Sequence, residues 1–157
     1  MKITVLCISK TSDSYVLEGM AEFKKRLKHF VKLDWIELPE VKNRKNLHQD
    51  QLLAMEEELF LKNLSNTDSI YLLDEKGKEF SSREFSSFIT KKMNASTSNL
   101  VFLIGGPYGF SKGMYAKADG KISLSKMTFT HQMVRLFFLE QVYRAFSIIK
   151  NLPYHHD

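Results

Sequence analysis

Apolar positions along the chain switch repeatedly between two periods. Lys2 to Ser9 alternates and reads as an edge-to-middle strand; Val16, Met20, Phe23, Leu27 and Phe30 then recur at helical spacing. That spacing predicts an amphipathic helix with Lys24, Lys25, Arg26 and Lys28 mostly on its wet side. Val31 to Leu38 is a second strand, stopped by Pro39. The polar segment from Glu40 to Asp50, with Lys42, Arg44 and Lys45 close together, reads as a mobile loop. A helix follows from about Gln51 to Leu64, acidic at Glu56, Glu57 and Glu58. Ser69 to Asp74 is a third strand, closed by a turn at Gly77.

Ser81 and Glu84 have the spacing of a capping box, opening a helix that lasts to about Met93. Leu100 to Ile104 is a continuous apolar strand, as expected where both faces of a parallel sheet are covered. A short helix near Lys112 to Lys117 leads to the brief strand Lys121 to Leu124, and a final helix runs from about His131 to Lys150. Strands alternating with helices argue an α/β layered fold with a mostly parallel sheet. Apolar residues from Met133 to Ile149 nearly encircle the last helix, which calls for a second covering surface. A twofold dimer supplies one; a central helix wrapped by its own chain is the rival.

At 157 residues the chain is expected to form one domain, 1–157, large enough to bury about 70% of its unfolded surface. Its single cysteine, Cys7, excludes an internal disulfide and a cysteine metal cage, and its apolar setting suggests an inert buried thiol. His29 and His48 lack metal-ligand spacing, so no metal is expected. No window reaches the ~20 apolar residues of a membrane span. The apolar run before Lys10 is too short for a signal peptide, so a cytoplasmic protein is expected. The net charge is +5, and residues 101–157 hold 7 Lys+Arg against 3 acids. Positive charge therefore gathers near the C-terminal glycine loop, which favours an anionic partner such as RNA as much as a plain solvated face.

Gly105-Gly106-Pro107-Tyr108-Gly109, directly after an apolar strand, lacks the ending of a P-loop and the spacing of a dinucleotide fingerprint. Its glycines still let a ligand approach the backbone. If their elements are neighbours, Leu73, Gly105 and the Leu124 to Phe129 loop converge on one apolar pocket with almost no charge. Such a pocket suits an adenine ring and a sulfonium, whose methyl needs only an in-line nucleophile.

Leu73-Asp74 with Gly77-Lys78, Ile104-Gly105-Gly106, Leu124-Ser125-Lys126-Met127-Thr128-Phe129 with His131, Gln141-Val142-Tyr143-Arg144-Ala145, and Asn151 to His155 together resemble the RlmH family. These are SPOUT-superfamily methyltransferases that modify N3 of a pseudouridine in 23S ribosomal RNA. The resemblance covers essentially the whole chain. It implies a SPOUT-type α/β fold with a C-terminal trefoil knot, a homodimer, S-adenosyl-L-methionine as cofactor, and large-subunit rRNA within the ribosome as substrate. It also implies cofactor contacts at Leu73, Gly105, Leu124, Ser125, Lys126, Met127, Thr128 and Phe129, and a tail that closes over the partner's pocket.

Four residues are candidates for chemistry. His131 could take the N3 proton as a neutral base, or fix its loop by hydrogen bonding. Arg135, one turn on, could bind phosphate, or pair with Glu140 or a backbone carbonyl. Tyr154 and His155 form an exposed tail suited to stacking on an unpaired base, with terminal disorder as the alternative. The family usually has a basic residue after this pair; here His156 and Asp157 follow, which puts a phosphate contact in doubt. A related knotted enzyme acting on tRNA and a non-catalytic ribosome-binding factor remain the rival functions.

Overall fold

The structure, a computed structural model, describes residues 1–155. The chain runs β1 (Lys2–Ile8), α1 (Ser14–Leu27), β2 (Lys32–Leu38), a 3-10 turn (Arg44–Asn46), α2 (Gln49–Leu61), β3 (Ser69–Glu79), α3 (Ser82–Asn94), β4 (Asn99–Ile104), α4 (Lys112–Lys117), β5 (Gly120–Ser123) and α5 (Met133–Ile149). The five strands pair in parallel in the order β2-β1-β4-β3-β5.

Strand alternation explains the layering. Ile3, Val5 and Cys7 of β1 and Leu100, Phe102 and Ile104 of β4 face one side, where Met20 of α1, Ile89 of α3 and Phe138, Val142 and Phe146 of α5 cover them. Leu6, Ile8, Val101 and Leu103 face the other side, under Phe60 of α2 and Met114 of α4. Both faces of the central strands are dry, so those strands read as unbroken apolar runs. Helix α5 packs between α1 and α3, with the Phe138 ring 4.7 Å from that of Phe102. Much of its apolar circumference is thus wrapped by its own chain, while Phe137 stays 38% exposed.

The Ser81–Glu84 capping box forms as expected: Ser81 Oγ accepts from the Glu84 amide at 3.2 Å, and Glu84 Oε2 accepts from the Ser81 amide at 2.7 Å. Three boundaries differ from expectation. The segment from Glu40 to Asp50 contains the 3-10 turn, and α2 begins at Gln49 because His48 and Gln51 cap it. Helix α5 begins at Met133, leaving His131 in the preceding turn.

The third difference shapes the site. Strand β3 does not close at Gly77. It bulges after Leu73, then rejoins β5 at Lys78–Ile122 and Glu79–Ser123. Gly77 permits the return, since a Cβ there would lie 2.5 Å from the Ile122 carbonyl carbon. The bulge turns Asp74 and Glu75 toward the C-terminal edge of the sheet.

Candidate active site

Because β3 lies between β4 and β5, the C-terminal ends of these three strands open side by side. Leu73 is in register with both Ile104 and Ile122, so the glycine loop and the β5–α5 loop rise on either side of the β3 bulge. They enclose a cavity of about 500 Å³, a size that accommodates a small-molecule cofactor. Its walls include Leu73, Ile104, Gly105, Leu124, Ser125, Met127, Thr128, Phe129 and His131. The expected convergence is therefore present in the geometry. Lys126 is the exception within its run: it is exposed and does not line the cavity.

The glycine wall is shaped by backbone. Gly109 adopts φ +77° and donates its amide to the Gly106 carbonyl at 3.1 Å, closing a tight turn. A Cβ on Gly105 would lie 2.6 Å from the Gly109 carbonyl oxygen, so no larger residue fits there. On the opposite wall, Ser123 Oγ donates to the Ser125 carbonyl at 2.8 Å, and Ser125 Oγ accepts from the Met127 amide at 2.9 Å. The Phe129 ring rests 4.8 Å from Phe137.

The cavity is less neutral than its sequence suggests, because Asp74 and Glu75 both line it. Asp74 accepts a hydrogen bond from the Tyr115 hydroxyl and a second from the Lys76 amide at 2.7 Å. Desolvation, followed by the Asp74 hydrogen bond and charge, pushes the Tyr115 phenol up to about 12. Glu75 Oε2 accepts from Thr128 Oγ1 at 3.5 Å, across the cleft. The signal was an acidic pair directly after a strand end; the bulge that aims it depends on distant pairing with β5.

His131 is exposed at the cavity wall, and its backbone carbonyl, not its ring, accepts from Arg135 Nε at 3.0 Å. The expectation of a phosphate contact for Arg135 is corrected. Its side chain is fully buried and does not line the cavity. Nη1 donates to Thr11 Oγ1 at 2.8 Å, Nη2 donates to the Ile8 carbonyl at 2.8 Å, and Glu37 Oε1 lies 3.8 Å away. A buried guanidinium needs every donor occupied, and the turn after β1 satisfies that need. Backbone pairing, the rival reading, describes Arg135. Gln132 performs a similar task, unforeseen from sequence: it accepts from the Ser12 amide at 2.9 Å and donates to the Lys10 carbonyl at 3.1 Å.

Tyr154 is not the exposed ring expected. It is half-buried on α5, edge-on to Tyr143 at 4.7 Å, and donates to Glu140 Oε1 at 3.2 Å. Arg144 covers its face at 4.9 Å, and His155 Nδ1 lies 3.3 Å from Arg144 Nη1. Neither residue lines this chain's cavity. His156 and Asp157 lie outside the described residues. Among the described residues, no helix is long and apolar enough to cross a membrane, and no group of three or more His, Cys, Asp or Glu could hold a metal ion.

A parallel α/β sheet with this cleft at its carboxyl edge matches a known class. The family model described as "Predicted SPOUT methyltransferase" matches residues 1–155. A probable methylase family protein from Haemophilus influenzae Rd KW20 shares the fold with a TM-score of 0.52, over 99% of this chain and 70% of that one, at 13% identity. Two proteins named ribosomal RNA large subunit methyltransferase H are far closer in sequence. The one from Cytophaga hutchinsonii is 55% identical over 99% of this chain and 100% of its own length. The one from Parabacteroides distasonis is 51% identical over the full length of both. The chain belongs to the SPOUT methyltransferases and, within them, to the RlmH family.

Proposed function

We propose that this protein is an S-adenosyl-L-methionine-dependent rRNA methyltransferase that modifies N3 of a pseudouridine in 23S rRNA, on the assembled ribosome. One observation carries the reading: the segments whose sequences resemble the family's cofactor motifs form the walls of a single cleft at the sheet's carboxyl edge. Full-length relatives named for rRNA methylation support the substrate class.

The residues present fit the cofactor. Leu73, Gly105 and the wall from Leu124 to Phe129 offer apolar surface and backbone groups for an adenosine. Asp74 and Glu75 supply negative charge suited to a sulfonium and an ammonium group. When bound, S-adenosylmethionine supplies an electrophilic methyl that passes to nitrogen and leaves a neutral thioether. His131, with its ring exposed at the wall, takes the N3 proton as the nitrogen becomes nucleophilic. Tyr154 and His155 act on the partner's cavity in a homodimer, held against α5 by Glu140 and Arg144. Exposed apolar side chains, Leu17, Met127 and Phe137 among them, supply surface for that twofold contact. The reading includes the family's trefoil knot, a single domain over 1–157 and a cytoplasmic location.

The test is transfer of radiolabelled methyl to ribosomes that contain or lack the pseudouridine. Labelling is expected only of the first, and equal labelling would refute the specificity. Calorimetry showing no cofactor affinity would favour the non-catalytic ribosome-binding factor instead. Deleting residues 154–157 is expected to leave cofactor binding largely intact while turnover collapses.

A further inference from the structure

The acidic run on α2 has the sequence signature of a solvated face, yet two of its three carboxylates point inward. Glu56 is only 5% exposed and lies behind the glycine wall of the cleft. A Cβ built on Gly106 would sit 2.6 Å from Glu56 Oε1 and 3.1 Å from Oε2, so the carboxylate presses on the loop backbone. The Gly106 backbone amide favours its ionised form. The next residue reaches the other end of the same loop: Glu57 Oε2 accepts from Ser111 Oγ at 2.7 Å. Ser111 in turn caps α4, accepting from the Met114 amide at 3.0 Å. Neighbouring side chains from the opposite layer thus hold both ends of the loop that forms one cavity wall.

Burying a carboxylate opposes folding unless its partners repay the lost hydration. An uncharged side chain would cover the same area with less penalty. A group that costs stability is expected where activity needs it.

We propose that Glu56 is a positioning residue for the cofactor site, fixing the Gly105–Gly106 turn in its ligand-accepting shape through the Gly106 amide, with Glu57 securing the far end. The proposal rests on the reading of this cleft as an S-adenosylmethionine site. Glu56 does not line the cleft and acts only through the loop.

Burial and three neighbouring groups decide the charge of Glu56. Burial raises its affinity for a proton, and this effect is the largest; the Gly106 amide and Arg44 oppose it, and Glu40 adds to it. Arg44 is itself ion-paired with Glu40. Because the folded state favours the protonated acid, ionised Glu56 weakens the fold above its raised pKa. Its grip on the amide fails, as pH falls, sooner than that of an ordinary glutamate.

The experiment compares the full-length wild type with Glu56→Gln and Glu56→Ala. S-adenosylmethionine affinity is measured by calorimetry from pH 5 to 8, with thermal unfolding and steady-state kinetics alongside. Glu56→Ala is expected to weaken affinity about tenfold or more, as for a lost hydrogen bond to a charged group. Its kcat at saturating cofactor should stay within about twofold, a loss confined to binding. Glu56→Gln keeps an acceptor for the amide, so most of the affinity returns, the acid-side weakening disappears, and the neutral-pH Tm equals or exceeds wild type. A lowered Tm with unchanged affinity in Glu56→Ala would overturn the proposal. So would persistent acid-side weakening in Glu56→Gln, which remains decisive if the alanine variant fails to fold. Wild-type protein that retains no cofactor would overturn this proposal and the functional reading together; wild-type binding matched by both variants would overturn this one alone.

Discussion

Two adjoining stretches of the β5–α5 connection have opposite fates. From Leu124 to His131 the chain is mostly exposed or half-buried and faces the cleft. From Gln132 to Arg135 it is clamped to the turn after β1 by buried hydrogen bonds. His131 and Gln132 are consecutive, yet one presents a free face to the cavity and the other fills the interior. The difference shows how a small domain can keep a reactive wall open: it spends buried polar contacts one residue away to fix where that wall stands. Arg135 is therefore an architectural cation, and His131 inherits its position.

Breaking the clamp should have the largest effect. Arg135→Ala removes the cation that Glu37 and the Ile8 carbonyl face, and a loss of about 3–5 kcal/mol is expected in urea unfolding. A loss under 1 kcal/mol would mean the clamp is incidental. Gln132→Ala leaves the Ser12 amide and the Lys10 carbonyl without their partner, for about 1–3 kcal/mol by the same measurement.

Alkaline unfolding separates the two regions more finely. Burial pushes the Cys7 thiol, in the clamped core near Arg135, from 9.0 to about 11, and the Tyr115 phenol at the cleft rim rises from 10.0 to about 12. Both are acids raised by folding, so their stabilisation is complete below pH 9 and drains away as pH climbs toward 12. Tyr115→Phe should remove the upper part of that loss while leaving the part due to Cys7. An unchanged profile would remove Tyr115 from the account.

The smallest structural change is expected at the open wall. His131→Ala should alter stability by no more than about 0.5 kcal/mol. Its methyl transfer should nevertheless fall by about 10²-fold or more, the usual worth of a positioned base. Normal turnover in this variant would return His131 to a purely structural role.

Much of this arrangement is legible in the sequence. The alternation of strand and helix, the Ser81–Glu84 cap and the meeting of Leu73, Gly105 and Leu124 all follow from local patterns that tertiary structure preserved. What was hidden depends on partners far away in sequence. Helical periodicity shows that Arg135 and His131 lie one turn apart, but not that the Ile8–Thr11 turn would bury one of them. Composition marks Glu56 and Glu57 as acidic, but not that α2 would press them against Gly106 and Ser111. The return of β3 to the ladder at Lys78 likewise needs β5, which lies more than forty residues on. Tyr154 looked exposed because a sequence cannot show that Tyr143 and Glu140 would shelter it.

The placement of β1 carries a consequence for how the protein is made. Strand β1, which precedes the other strands of this sheet in sequence, lies inside it between β2 and β4, and α5 lies over its Val5 and Cys7 side chains. In a nascent chain α1 can shelter those apolar groups in part, and their full cover waits for α3 and α5. A chain truncated before α5 would expose the apolar surface that this helix covers, a liability for aggregation.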